Sequence, residues 1–143
     1  MNGIKRDAAP RWGLAELALA GLASMLAAGS VSAQQTGEQV YKAVCIECHG
    51  SGKDKAPKFG DKKDWGPRLR EGRVHLTAEG LTGTGKMPPR GGKPELTTAE
   101  FANALAFMAR AAGGNWQDAD DKLLERIAAE EKKILDRRKA KKS

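Results

Sequence analysis

The chain has 143 residues, room for one compact domain with modest extensions, and carries a formal net charge of +7 from 25 Lys and Arg against 18 Asp and Glu. Its two cysteines, Cys45 and Cys48, share one short motif, which excludes a framework of structural disulfides. A basic balance is compatible with nucleic acid, an anionic membrane surface or an acidic protein partner, and the N-terminus narrows the choice.

Residues 1–33 begin with Lys5, Arg6 and Arg11, continue through the apolar stretch Leu14 to Ala28 and finish on Val31-Ser32-Ala33. This is the three-part pattern of a secretory signal, with small residues where a signal peptidase cuts. A spanning helix would need ~20 apolar residues, whereas this stretch is short and includes Glu16. Cleavage after Ala33 is expected, giving a periplasmic protein that starts at Gln34, for which nucleic acid is no partner and membrane contact is at most peripheral. Removal of the segment lowers the net charge to +6, because it carries three basic and two acidic residues.

Residues 34–112 form the expected domain, short for a self-sufficient apolar core and therefore suited to a large buried cofactor. Thr36 to His49 reads as a helix: Val40, Val44 and Cys48 recur at fours and Thr36 can cap. Gly50 to Gly66 turns to Gly, Pro, Lys and Asp with isolated Phe59 and Trp65, the chemistry of a compact loop. Pro67 to Glu79 has mixed helical spacing and predicts one short helix, broken by Gly80, Gly83 and Gly85. Lys86-Met87-Pro88-Pro89-Arg90-Gly91-Gly92 predicts a rigid loop presenting Met87, since paired prolines remove donors and glycines favour turns. Thr97 with Glu100 is a capping-box signature, followed by Phe101, Leu105 and Met108 at helical spacing. After Gly113-Gly114, residues 116–143 alternate acid and base around Leu123, Leu124, Ile127, Ile134 and Leu135, predicting a long charged amphipathic helix in a separate extension, 113–143.

Cys45-Ile46-Glu47-Cys48-His49 has the spacing at which two thiols on one helical turn add to the two vinyl groups of a haem edge while the next residue reaches the iron. Two other readings fit less well. A redox dithiol normally opens a helix that follows a strand, where the helix dipole lowers a thiol pKa, and here the pair follows helical sequence. A zinc site wants a second ligand pair, and beyond His49 the mature chain offers only His75. One haem c with its iron is the expected cofactor, His49 the first axial ligand. For the second, Met87, Met108 and His75 are available. Met108 lies on the apolar stripe of a helix and reads as packing; Met87, on its rigid loop, is favoured, with His75 as the remaining candidate.

These residues, with Gly37-Glu38-Gln39-Val40-Tyr41, Ala56-Pro57-Lys58-Phe59-Gly60-Asp61, Trp65-Gly66-Pro67-Arg68 and Met87-Pro88-Pro89-Arg90-Gly91-Gly92, resemble the class I cytochromes c, most nearly the bacterial cytochrome c5 group, over residues 36–112. The resemblance implies an all-α fold around one covalently bound haem, with Cys45 and Cys48 as thioether anchors and His49 and Met87 as iron ligands. It implies further that the Pro57 carbonyl orients His49 and that Trp65 and Arg68 lie near the haem propionates. Some relatives carry an extra cysteine pair after the ligand Met; here Gly92-Lys93-Pro94-Glu95 stands there.

The implied function is one-electron transfer rather than enzymatic catalysis. Electrons would come from a quinol-linked complex or dehydrogenase and pass to an oxidase or reductase. The alternative is a haem c subunit held permanently in a periplasmic oxidoreductase through its C-terminal helix. For that helix, with Asp118, Asp120, Asp121 and Glu125 early and Arg137, Arg138, Lys139, Lys141 and Lys142 late, the charge order suits the macrodipole. Two roles are open to it: folding back on the domain through Leu123, Ile127 and Ile134, or docking on a partner or anionic lipid.

Overall fold

The computed structural model describes residues 33–143, so the expected signal segment lies outside the described residues apart from Ala33. The described residues form helices and turns, with one isolated bridge between Thr84 and Met87. No helix among them is long and apolar enough to cross a membrane.

The expected first helix is three joined pieces: α1 (Gly37–Val40), a π-helical turn (Tyr41–Cys45) and α2 (Ile46–His49). Thr36 caps it through a full capping box with Gln39. Within the π turn the Ile46 amide reaches back to the Tyr41 carbonyl, so the turn holds more residues than the α-helical period and rotates α2 about the helix axis. Cys45 and His49 thereby both face inward, at 9% and 8% exposure, while Ile46 stays outside at 46%.

The next boundaries differ from expectation. The loop after His49 ends at Asp61, whose carboxylate accepts from the Lys63 and Asp64 amides and starts α3 (Lys62–Glu71). Gly66 and Pro67 therefore lie inside a helix, and the cap decides where it begins. Gly72, at φ +90°, separates α3 from α4 (Arg73–Thr82), so the one short helix expected over 67–79 is replaced by two.

α5 (Thr98–Ala111) begins with the expected Thr97 and Glu100 box and supplies the core residues Phe101, Leu105 and Met108. It crosses α1 at Gly37, where a Cβ would lie 2.1 Å from the Asn103 carbonyl oxygen; only a residue without one allows so close a crossing. Tyr41, Phe59 and Phe107 cluster beside it, Phe59 stacked on Tyr41 with centroids 4.4 Å apart and on Phe107, and close the 50–61 loop onto the helices.

The extension becomes helical at α6 (Asp121–Ala140), capped by Asp120, five residues later than the Trp116 start expected. It lies along α4. Ile127 is fully buried, Ile134 is 6% exposed, and Leu123 and Leu124 pack on the main core. The approach to it is tied down by the Ala119 amide, which donates to the Asn103 side chain at 2.7 Å.

Candidate haem-binding site

The site starts from the loop after the cysteine motif. The Phe59 amide donates to the His49 carbonyl, and the Lys58 amide donates to the Asp64 carboxylate at 3.1 Å. This fold-back sets the Pro57 carbonyl 2.9 Å from His49 Nδ1. A carbonyl can only accept, so Nδ1 carries the proton and Nε2 keeps its lone pair for a metal. Trp65, 2% exposed, walls the imidazole at a centroid distance of 5.9 Å.

Cys45 is buried and Cys48 half-buried, and neither is disulfide-bonded. Burial, then the neighbouring Cys48, pushes the Cys45 thiol up to about 11. A reactive dithiol is favoured by the opposite shift, so the surroundings of Cys45 do not favour a thioredoxin-like role. Among the described residues no three His, Cys, Asp or Glu side chains converge as a metal site. Two unbonded thiols one turn apart, a buried imidazole with an oriented tautomer and an apolar surround fit a covalently attached haem. Cys45 and Cys48 would hold its edge and His49 would meet its iron.

Met87 is half-buried against the same apolar cluster as Cys45 and Trp65. Its backbone pairs both ways with Thr84, at 2.9 and 3.0 Å. Its terminal methyl lies 3.8 Å from where a Cβ on Gly80 would stand, beside the Phe101 ring. Gly80 is five residues beyond His75 and so about 140° further round α4. His75 faces α6 instead: its Nδ1 is 3.1 Å from Glu130 and its Nε2 3.6 Å from Glu79. Met108, at 3% exposure, is in the core.

The residues implied for the propionates are placed differently from each other. The Trp65 indole N–H donates to the Lys58 carbonyl at 2.9 Å, a structural use of the group expected to serve a carboxylate. Arg68 is exposed and gives one donor to Glu71 at 3.0 Å. The sequence marks Gly80 only as a helix breaker, whereas it lies buried inside α4, and Gly37 only as part of a motif; the need of both for a missing Cβ depends on contacts far along the chain. The Lys58 carbonyl is not singled out by sequence, since a backbone turn alone aims it.

The family model described as cytochrome C oxidase, cbb3-type, subunit III matches residues 32–108, over half of the chain. Cytochrome c-555 of Chlorobaculum tepidum is 39% identical over 92 residues, covering 60% of this chain and 85% of the relative. Cytochrome c5 of Azotobacter vinelandii is 34% identical over 76 residues, covering 52% and 92%. A chain in the crystal structure of the electron transfer complex of nitrite reductase with cytochrome c is 44% identical, with a TM-score of 0.51, covering 55% of this chain and 99% of that one. Sequence relatives and fold agree with the thiol and imidazole geometry, and the chain belongs to the cytochrome c family of electron-transport proteins, carrying a covalently attached, iron-containing haem c.

Proposed function

We propose that the protein is an exported one-electron carrier of the periplasm, with its iron held between His49 and Met87. The observation that carries this reading is the 2.9 Å contact from His49 Nδ1 to the Pro57 carbonyl, which leaves Nε2 as the ligand atom. When bound, the haem supplies a ferric/ferrous couple. The chain's task is to change little while that couple turns over. Cys45 and Cys48 anchor the group, Pro57 holds the imidazole in one tautomer, and the Thr84 pairing fixes the backbone of Met87. A Met87 thioether joining the His49 imidazole on the iron would raise the potential, which would suit donors such as a quinol-linked complex or dehydrogenase and acceptors such as an oxidase or reductase. The likeness to a chain from a nitrite reductase complex supports a reductase-type acceptor.

Export with removal of residues 1–33 is part of the proposal, and the N-terminal sequence of the holoprotein from a periplasmic extract tests it. The ligands are tested by the absorption spectrum. The ferric protein should show the weak red charge-transfer band of sulfur ligation, lost in Met87→Ala and kept in Met108→Ala. A band that survives in Met87→Ala removes Met87 as ligand.

A second reading, a permanent haem c subunit of an oxidoreductase, is favoured by the family model's description as an oxidase subunit. Against its use of the tail as assembly element stands the burial of Ile127 and Ile134 against the chain's own domain. Purification as a monomer from the native source decides for the free carrier.

A further inference from the structure

The C-terminal helix touches the ends of the segment that carries Met87. α4 stops at Thr82, leaving its last carbonyls without helical partners. The Arg138 guanidinium, from the last turn of α6, fills two of these places: Nη1 donates to the Thr82 carbonyl at 2.9 Å and Nη2 to the Gly83 carbonyl at 2.7 Å. A planar fork matches two adjacent acceptors, and a cation at a helix C-terminus also meets the negative end of the macrodipole.

Gly83 is itself wedged against the Met87 segment. A Cβ there would stand 2.9 Å from Pro89 Cδ and 3.1 Å from the Met87 carbonyl oxygen. The next residue, Thr84, makes both backbone bonds to Met87. An unbroken path of hydrogen bonds and close contacts thus leads from Arg138 to the Met87 backbone. At the far end of the segment, Arg90 sits at φ +53°, donates to the Leu96 carbonyl at 2.8 Å and lies 3.9 Å from Glu131 of α6. One face of one helix therefore reaches both ends of residues 83–90.

We propose that α6 is a strap that holds the Met87 segment in place, and that Arg138 is the positioning residue through which it does so. The proposal rests on the reading of Met87 as the iron ligand. The strap favours the arrangement with Met87 seated, so that a competing exogenous ligand must displace a held loop rather than a loose one. It also gives the extension a use that needs no partner: the family match ends at residue 108, and the chain beyond it steadies a loop of the domain.

The test uses the full-length holoprotein with Arg138→Ala, Arg138→Lys and Lys142→Ala, the last removing the same charge from the exposed turn just past the helix. Two quantities are read: amide hydrogen exchange at Thr84 and Met87, and the affinity of the ferric protein for added imidazole. Loss of two charge-assisted hydrogen bonds predicts imidazole affinity raised about tenfold in Arg138→Ala, with faster exchange at both amides. Arg138→Lys, which can serve one carbonyl, should fall between, and Lys142→Ala should match the parent. A purely structural role would lower the melting temperature of Arg138→Ala without moving imidazole affinity at temperatures where the protein is folded; that result overturns the proposal. Met87→Ala separates the two levels. If it loses the charge-transfer band while Arg138→Ala leaves exchange and affinity unchanged, the strap alone fails. If the band persists, the ligand assignment fails and the strap with it.

Discussion

His75 Nδ1 lies 3.1 Å from a carboxylate oxygen of Glu130, joining α4 to α6 across 55 residues of chain. The same carboxylate faces Lys133 and Arg137, each at 3.5 Å, while Glu79 lies 3.6 Å from the other side of the imidazole. The His75 hydrogen bond is the main reason that Glu130 is held below the usual carboxylate range, with Lys133 adding to it. A depressed carboxylate stabilises the docked helix above its unfolded pKa of about 4.3, and that contribution disappears as pH falls through its lower folded value. Amide protection factors along α6, taken against the intrinsic exchange rate at each pH, should therefore fall on acidification in the parent. In Glu130→Gln they should already be lower at neutral pH and should respond less to acid.

Docking of α6 depends more on its apolar seam. Ile127 is fully buried, so Ile127→Ala should cost about 2–5 kcal/mol in denaturant unfolding of the holoprotein. Leu135, two turns on and 41% exposed, should cost no more than about 0.5 kcal/mol as Leu135→Ala. Similar losses from the two would mean that α6 is not packed on this face.

How far the fold and the site were legible in the sequence depends on the range of the interactions. The Thr97 and Glu100 box and the run Cys45 to His49 are local, and the residues involved declare themselves at fixed spacing. The start of α3 is also local, since the Asp61 carboxylate caps the Lys63 and Asp64 amides, but the Gly-, Pro-, Lys- and Asp-rich composition up to Gly66 reads as loop and sets the expected start at Pro67 instead. The π turn was hidden because Val40, Val44 and Cys48 keep a plausible α-helical spacing right through it. Arg138 could not be found from sequence at all. Among a run of similar cations, only the end point of α4 selects the one whose fork meets two open carbonyls.

Gly37 is a position where two local effects oppose each other. In a helix Ala is favoured over Gly by about 1 kcal/mol, so Gly37→Ala would stabilise an isolated α1. Here the new Cβ would stand 2.1 Å from the Asn103 oxygen and 2.5 Å from its carbonyl carbon, both backbone atoms of α5. Backbone cannot swing aside as a side chain can, so the crossing must open, and overpacking of this kind costs about 1–3 kcal/mol or more. The clash should win. A lower denaturation midpoint for Gly37→Ala is expected, and a higher one would show that α1 and α5 do not cross at this distance.

Glu100 ties the start of the domain to the start of α5. It is 8% exposed, and its carboxylate accepts from the Gln35 amide at 3.0 Å and the Thr97 amide at 2.9 Å. These backbone donors, Gln35 first, hold its pKa below the ordinary range, against a smaller opposing effect of burial. With the folded pKa below the unfolded one, the ionised form stabilises the fold above about pH 4.3, and the contribution is lost as pH falls through the folded value. Glu100→Gln keeps an amide oxygen able to accept one of the two bonds but removes the charge. It should lose about 1 kcal/mol at neutral pH, as a weakened cap does, and its stability should fall less steeply in acid than that of the parent. Thermal melts of both holoproteins from neutral pH down through the carboxylate range give the comparison. Parallel curves for the two would mean that the Gln35 and Thr97 amides do not depress this carboxylate.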